Sequence, residues 1–222
     1  MKKVMAFILA MLMCLSLGSC GKNKKAFEAS KVAYENIDAA YTVVEQFATD
    51  IYDAWMVGIY DDEELMDDGI EYLASELSLS EEELRAGAVH VYAHMIGEEA
   101  SSLTEEEKTN ATEYTNVFFI LFEDDLFTLC VEFVMGAYIE NGKVDEVNAL
   151  LENAKLQMKE LSEKYSDYEY YPSLKEYYTT TRSFFDFCQD PTGSFEQIKG
   201  TINDYKNDAR DYSNDLKYIF EE

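Results

Sequence analysis

Along three long stretches of this chain, apolar residues return at alternating steps of three and four. The first carries Tyr34, Ile37, Tyr41, Val44, Ala48, Ile51 and Trp55. The second carries Val144, Val147, Leu151, Ala154, Met158, Leu161 and Tyr165, and the last Ile198, Ile202, Tyr205, Ala209, Tyr212, Leu216 and Ile219. A period near 3.5 draws a narrow apolar seam down a helix and favours near-parallel, left-handed packing against a neighbour. Only two prolines interrupt the 222 residues, and no alternating strand pattern of any length occurs. The chain is therefore expected to be all-α: an elongated antiparallel bundle with coiled-coil-like heptad seams.

Boundary signals divide it into about seven helices, near 26–60, 61–78, 80–101, 104–140, 143–167, 173–189 and 194–221. Ser80 with Glu83, Thr104 with Glu107, Ser173 with Glu176, and Ser194 with Gln197 fit the capping box. In that box a hydroxyl accepts from the third helical N–H and the later side chain reaches back. Asn141-Gly142 reads as a helix stop, because glycine accepts the left-handed backbone of a C-cap. Pro172 and Pro191 mark two more junctions. Short connections make sequential helices antiparallel neighbours in one domain.

The first residues read differently. Lys2 and Lys3 precede an apolar run from Val4 to Leu17, which ends in Leu17-Gly18-Ser19-Cys20. The run is too short to span a bilayer, which needs about 20 apolar residues. A charged start, a short apolar core and small residues before a cut describe a secretory signal. The Leu-Gly-Ser-Cys ending resembles the lipobox of bacterial lipoprotein signal peptides, over residues 1–20 only. That resemblance implies cleavage before Cys20 and a diacylglycerol thioether on its thiol. Residues 21–26 are then a tether reaching roughly 20 Å, and residues 27–222 an acidic helical-bundle domain on the extracytoplasmic face of a cell membrane.

Past residue 20 the chain holds 16 Lys and Arg against 45 Asp and Glu. Such a surface repels nucleic acid, which is excluded as a partner. Between Lys31 and Arg85 lie sixteen acids and no basic residue, whereas Lys22, Lys24, Lys25 and Lys31 cluster beside the expected anchor. With 47% hydrophobic and 14% aromatic residues, the chain can bury a core despite its charge. Cys130 and Cys188 fall on apolar helix faces as small hydrophobes, with a disulfide between them the alternative.

Candidate chemistry is sparse. His90 and His94 stand one turn apart with Glu98 a turn further, a spacing that could present two imidazoles to a metal. The same face could equally be solvated or meet another helix, and the small residues Ala86, Ala93, Gly97 and Ala100 suggest that one crosses nearby. Asp61 to Glu64 with Asp67 and Asp68 resemble a calcium loop only loosely, because Met66 occupies a ligand position. They suit the positive end of a helix better. Tyr168, Tyr170 and Tyr171, within a larger tyrosine group interleaved with Asp167 and Glu169, could hold a sugar or a cationic ligand, or could pack a corner. Glu123 falls on the apolar arc of a continuous 104–140 helix, where it could be buried and could contact a cationic partner, unless the helix presents this edge to solvent and leaves it an ordinary exposed acid. That stretch is too acidic for a membrane span. No phosphate loop, nucleophile triad or C-x-x-C motif appears, and no cofactor is called for. The sequence points to a non-enzymatic binding or structural module. Ligand capture, and a metal-dependent enzyme built on His90 and His94, are the alternatives.

Overall fold

A computed structural model describes residues 22–221, all-helical with no strand among them. Residues 1–21, including Cys20 and the expected signal, lie outside the described residues. Nine α-helices occur in the described part: α1 (Lys22–Tyr60), α2 (Asp62–Glu76), α3 (Glu81–Ile96), α4 (Glu105–Glu113), α5 (Thr115–Leu121), α6 (Leu126–Glu140), α7 (Lys143–Lys164), α8 (Tyr171–Gln189) and α9 (Phe195–Phe220). None is long and apolar enough to cross a membrane.

Helix α1 is the axis. Its 39 residues give it a length of about 58 Å at 1.5 Å per residue, and it touches α2, α6, α7, α8 and α9. Helices α6 and α7 together run back along it: Phe127 stacks on Trp55 near its end, and Tyr138 stacks on Phe47 nearer its middle at 4.1 Å. Helix α8 returns beside α1, placing Tyr177 by Tyr34 and Tyr41. Helix α9 descends from Phe195 against Tyr52 to Phe220 against Phe27. Helices α2 to α5 add a layer on the side of α1's C-terminal half, where α2, α3 and α5 pack in turn.

Every seam residue named in α1 is buried, and so are Val147, Leu151, Ala154, Met158 and Leu161 of α7. Three capping boxes form as expected, at Ser80, Thr104 and Ser194. The fourth does not. Helix α8 begins at Tyr171 with Pro172 in its first turn, where the missing N–H costs nothing, so Ser173 lies inside the helix. Gly142 takes φ 71° and ends α6 as expected.

Four expectations are corrected. Helix α1 starts at Lys22, so most of the residues read as a tether are helical, and Ala26 is already buried. Helix α3 stops at Ile96, because Gly97 adopts φ 73° and closes it. The stretch 62–76 is kinked at Asp68, which has φ −138° and ψ 50°. The 104–140 stretch is not one helix. Tyr114, Phe122 and Asp125 leave helical geometry and divide it into α4, α5, a 3₁₀ turn and α6. A continuous helix there would swing consecutive acids through its buried face, whereas the turn leaves Glu123 and Asp125 in solvent.

Two carboxylates, buried Asp50 and half-buried Asp38, bind the columns together. Asp50, 1% exposed, accepts from Ser78 N (3.0 Å), Ser78 Oγ (2.7 Å), Tyr138 Oη (2.7 Å) and Gln46 Nε2 (3.3 Å). It thereby fixes the α2–α3 connection and α6 to α1. Asp38 accepts from Tyr177 Oη and Ser213 Oγ, each at 2.9 Å, and ties α8 and α9 to α1. A buried carboxylate needs such donors because desolvation without them is costly. Burial, and then the charge of Asp50, raises the Tyr138 hydroxyl well above its ordinary pKa.

Candidate functional site

The close approach of α3 and α6 builds a concave feature that brings the two histidines together. A Cβ on Gly87 would lie 2.4 Å from Phe133 O, and one on Gly136 would lie 2.5 Å from Gly87 O. Only glycine at both positions lets the two backbones come this near. Their neighbours on the same faces are His90 and His94 on α3, and Thr128, Glu132 and Glu140 on α6. His90 Nε2 meets Glu140 Oε1 at 2.8 Å, and His94 Nδ1 meets Glu132 Oε1 at 2.7 Å. An ionised carboxylate only accepts, so the facing nitrogen of each ring carries the hydrogen. The two helices are thus antiparallel: both histidines follow Gly87 on α3, His90 beside the glycine contact, while the two glutamates stand one turn to either side of Gly136 on α6.

A cleft of about 400 Å³ opens along this seam. Its polar wall is His90, His94, Glu132 and Asp190, and its apolar wall includes Trp55, Phe127, Met135, Ile139 and Pro191. Trp55 stacks on Phe127 at 5.7 Å and meets Phe195 edge-on. Phe127 forms a lip that is 38% exposed. It lies against Gly58 near the end of α1, where Ile59 and Tyr60 are exposed. Just upstream of the lip, α5 buries Phe118 and Phe119 against α2 and α6 and turns Val117, Ile120 and Leu121 outward. Large apolar side chains in solvent thus lie on the last turn of α1 and on α5, the segment that precedes the Phe127 lip.

The sequence-derived candidates distribute as follows. His90 and His94 share a face and both reach the cleft, each committed to its own carboxylate. Glu98 does not join them, because it follows the Gly97 cap and is exposed. Among the described residues no group of three or more His, Cys, Asp or Glu is arranged to hold a metal. Tyr168 and Tyr170 pack edge to face at 5.4 Å, and Tyr170 meets Phe220 at 6.0 Å, which makes a corner at the other end of the molecule. Tyr171 is half-buried at the start of α8. Glu123 is exposed on its 3₁₀ turn, apart from both groups. Cys130 and Cys188 are free, buried thiols, and burial raises both above the ordinary thiol range. The small-residue stripe does receive a helix: Ala93 is buried with Val89, Leu103 and Ala111 of α4.

Sequence reasoning missed Gly87, the carboxylate partners of the histidines, and the exceptional burial of Asp50. A glycine facing a glycine had a signal, since each sits mid-helix where alanine is otherwise the better residue. No protein-family model matches the chain, and neither a curated protein nor a solved structure matches it.

Proposed function

We propose that this chain is a bacterial lipoprotein, anchored through Cys20 at the extracytoplasmic face of a membrane, that binds a partner of the cell envelope without chemistry of its own. Its elongated body acts as a stalk held by the heptad seams of α1, α7 and α9, and the partner sits on the cleft and apolar rim where α1 ends. One observation carries this reading: Tyr60, Tyr114, Ile120 and Leu121 are between 57 and 65% exposed at or near that end. Soluble surfaces rarely gather large apolar side chains in this way unless they mark an interface, and burying one such side chain fully is worth about 1.5–3 kcal/mol. Glu132, Glu140 and Asp190 edge the same region, so the partner presents apolar side chains flanked by basic ones.

The test is photo-crosslinking in intact cells from a reactive residue at Leu121, with mass spectrometry of Cys20 in the same material. A discrete adduct that disappears in Ile120→Glu supports the reading. Absence of any adduct at Leu121 removes the binding claim, and a Cys20 without diacylglycerol removes the anchor.

The cleft itself favours a second reading, capture of a small cationic or sugar ligand. Its volume falls in the usual range for small-molecule sites, and Trp55 stacked on Phe127 supplies an aromatic wall beside carboxylates. That ligand would shift Trp55 emission on binding.

A further inference from the structure

The two ends of α1 differ in charge and in aromatic content, and the difference sets an orientation. From Lys22 to Tyr34 the helix carries four lysines and the single acid Glu28; from Glu35 until Arg85 the chain carries only acids. Lys24 and Lys25 are exposed, with no acidic partner among the described residues. Around this base Phe27 packs on Phe220 at 5.5 Å, and Tyr170 and then Tyr168 continue the group outward. Tyr218, two residues before Phe220, points away from the bundle and is 74% exposed. Asp167, Glu169 and Glu221 lie at the same end, so the base is close to neutral while the rest of the molecule is strongly acidic.

The chain outside the described residues ends at Gly21, and one residue separates Cys20 from the first turn of α1. If Cys20 carries the lipid, as proposed above, the helix has almost no slack and its base rests at the bilayer surface. Tyrosine suits that depth, because its ring is apolar and its hydroxyl prefers water, and such rings concentrate at headgroup level. Lysines next to a membrane are drawn to anionic headgroups, whereas acids laid along them are repelled. Lying flat would press the acids of α1 and α2 against that surface; standing upright removes them beyond the reach of screened repulsion, about 8 Å at physiological salt.

We infer that the bundle docks end-on to the lipid bilayer, with Lys24, Lys25, Tyr168, Tyr170 and Tyr218 in the headgroup layer and the partner-binding cleft held well above it. Trp55, the sole tryptophan, then stands about 42 Å up the axis from Phe27.

That tryptophan is a built-in depth probe. The lipid-bearing protein is extracted from membranes and reconstituted into phosphatidylcholine–phosphatidylglycerol vesicles, with or without phospholipid brominated near the top of its acyl chains. Wild-type emission, from Trp55 alone, is expected to be the same in both. Tyr218→Trp, at an exposed position that tolerates the larger ring, adds a component that loses about half its intensity over brominated lipid, as an interfacial ring should. Quenching of Trp55 in the wild type overturns the upright orientation. Retention on vesicles with no quenching in Tyr218→Trp overturns docking while leaving the anchor intact. Failure to associate, with Cys20 unmodified by mass, overturns the anchor and this inference together.

Discussion

Raising the pH should unfold this protein abruptly, because six buried groups must stay protonated in the native state. Tyr34, Tyr41, Tyr138 and Tyr177 are all under 9% exposed, and burial is the largest cause raising each hydroxyl above its ordinary pKa, with neighbouring carboxylates adding to it. Cys130 and Cys188 are fully buried, and burial raises both thiols. A group whose folded pKa is raised contributes its full stability below the unfolded value and loses it as pH climbs from there, since only the unfolded chain can release the proton. With ordinary values of about 8.5 for Cys and about 10 for Tyr, ionisation in the unfolded state favours unfolding by about 2 kcal/mol per thiol and about 0.4 per tyrosine at about pH 10. At about pH 11 these become about 3.4 and about 1.4 kcal/mol. The two thiols with Tyr138 and Tyr177 then remove about 5 kcal/mol at about pH 10 and about 10 at about pH 11. Tyr34 and Tyr41, whose hydroxyls are only part-buried, add at most about 1 and about 3 more after solvent screening, against a typical net stability of about 5–15. Helicity followed by circular dichroism should therefore collapse between about pH 10 and about pH 11.5. Tyrosinate absorbance should rise in two parts, a gradual one from the exposed members of the 17 tyrosines and a step that coincides with loss of helix. A single broad tyrosinate titration, with helicity intact to about pH 12, would refute the claim that folding holds these hydroxyls and thiols in their protonated form.

Two further predictions concern the joints of the fold. Tyr138→Phe removes one of the donors to buried Asp50 and should cost about 1.5–3 kcal/mol in urea unfolding, the range for a hydrogen bond to a charged group; Tyr34→Phe, which loses a longer 3.2 Å contact to exposed Glu221, should cost less than about 1, and equal losses would mean Asp50 is not a joint. Gly136→Ala, whose Cβ would meet the Gly87 backbone, should destabilise by about 3 kcal/mol or more, while Gly200→Ala, with nothing within 4 Å on an exposed helix face, should stabilise by about 0.5–1; thermal melts that move in the same direction would refute the glycine crossing.

How far the sequence could be read follows the range over which each signal acts. The seams, the three capping boxes and the stop at Gly142 are local. Each depends on residues within a turn or two, and the capping boxes, the stop and the buried residues of α1 lie where the spacing places them. Within α6 even the polar stripe of Thr128, Glu132 and Gly136 keeps its face and lines the cleft. The breaks at Tyr114, Phe122 and Asp125 were not legible, because helical-wheel reasoning assumes the continuity it is testing. Tertiary burial of Phe118, Phe119, Leu126 and Leu129 outweighs local helix continuity there. Glu123 changes meaning with that break: a misfit on an unbroken wheel becomes an ordinary exposed acid on a turn. The histidines show the other limit. Their shared face was readable at a spacing of four, but their partners Glu140 and Glu132 come from 50 and 38 residues away. Only the crossing of α3 on α6 selects these two carboxylates from a sequence holding 45 acids. That crossing rests in turn on Gly87 and Gly136, two residues with no side chain at all. The site is therefore least visible where its geometry is decided, and a substitution at either glycine should disturb both His–Glu pairs without touching them.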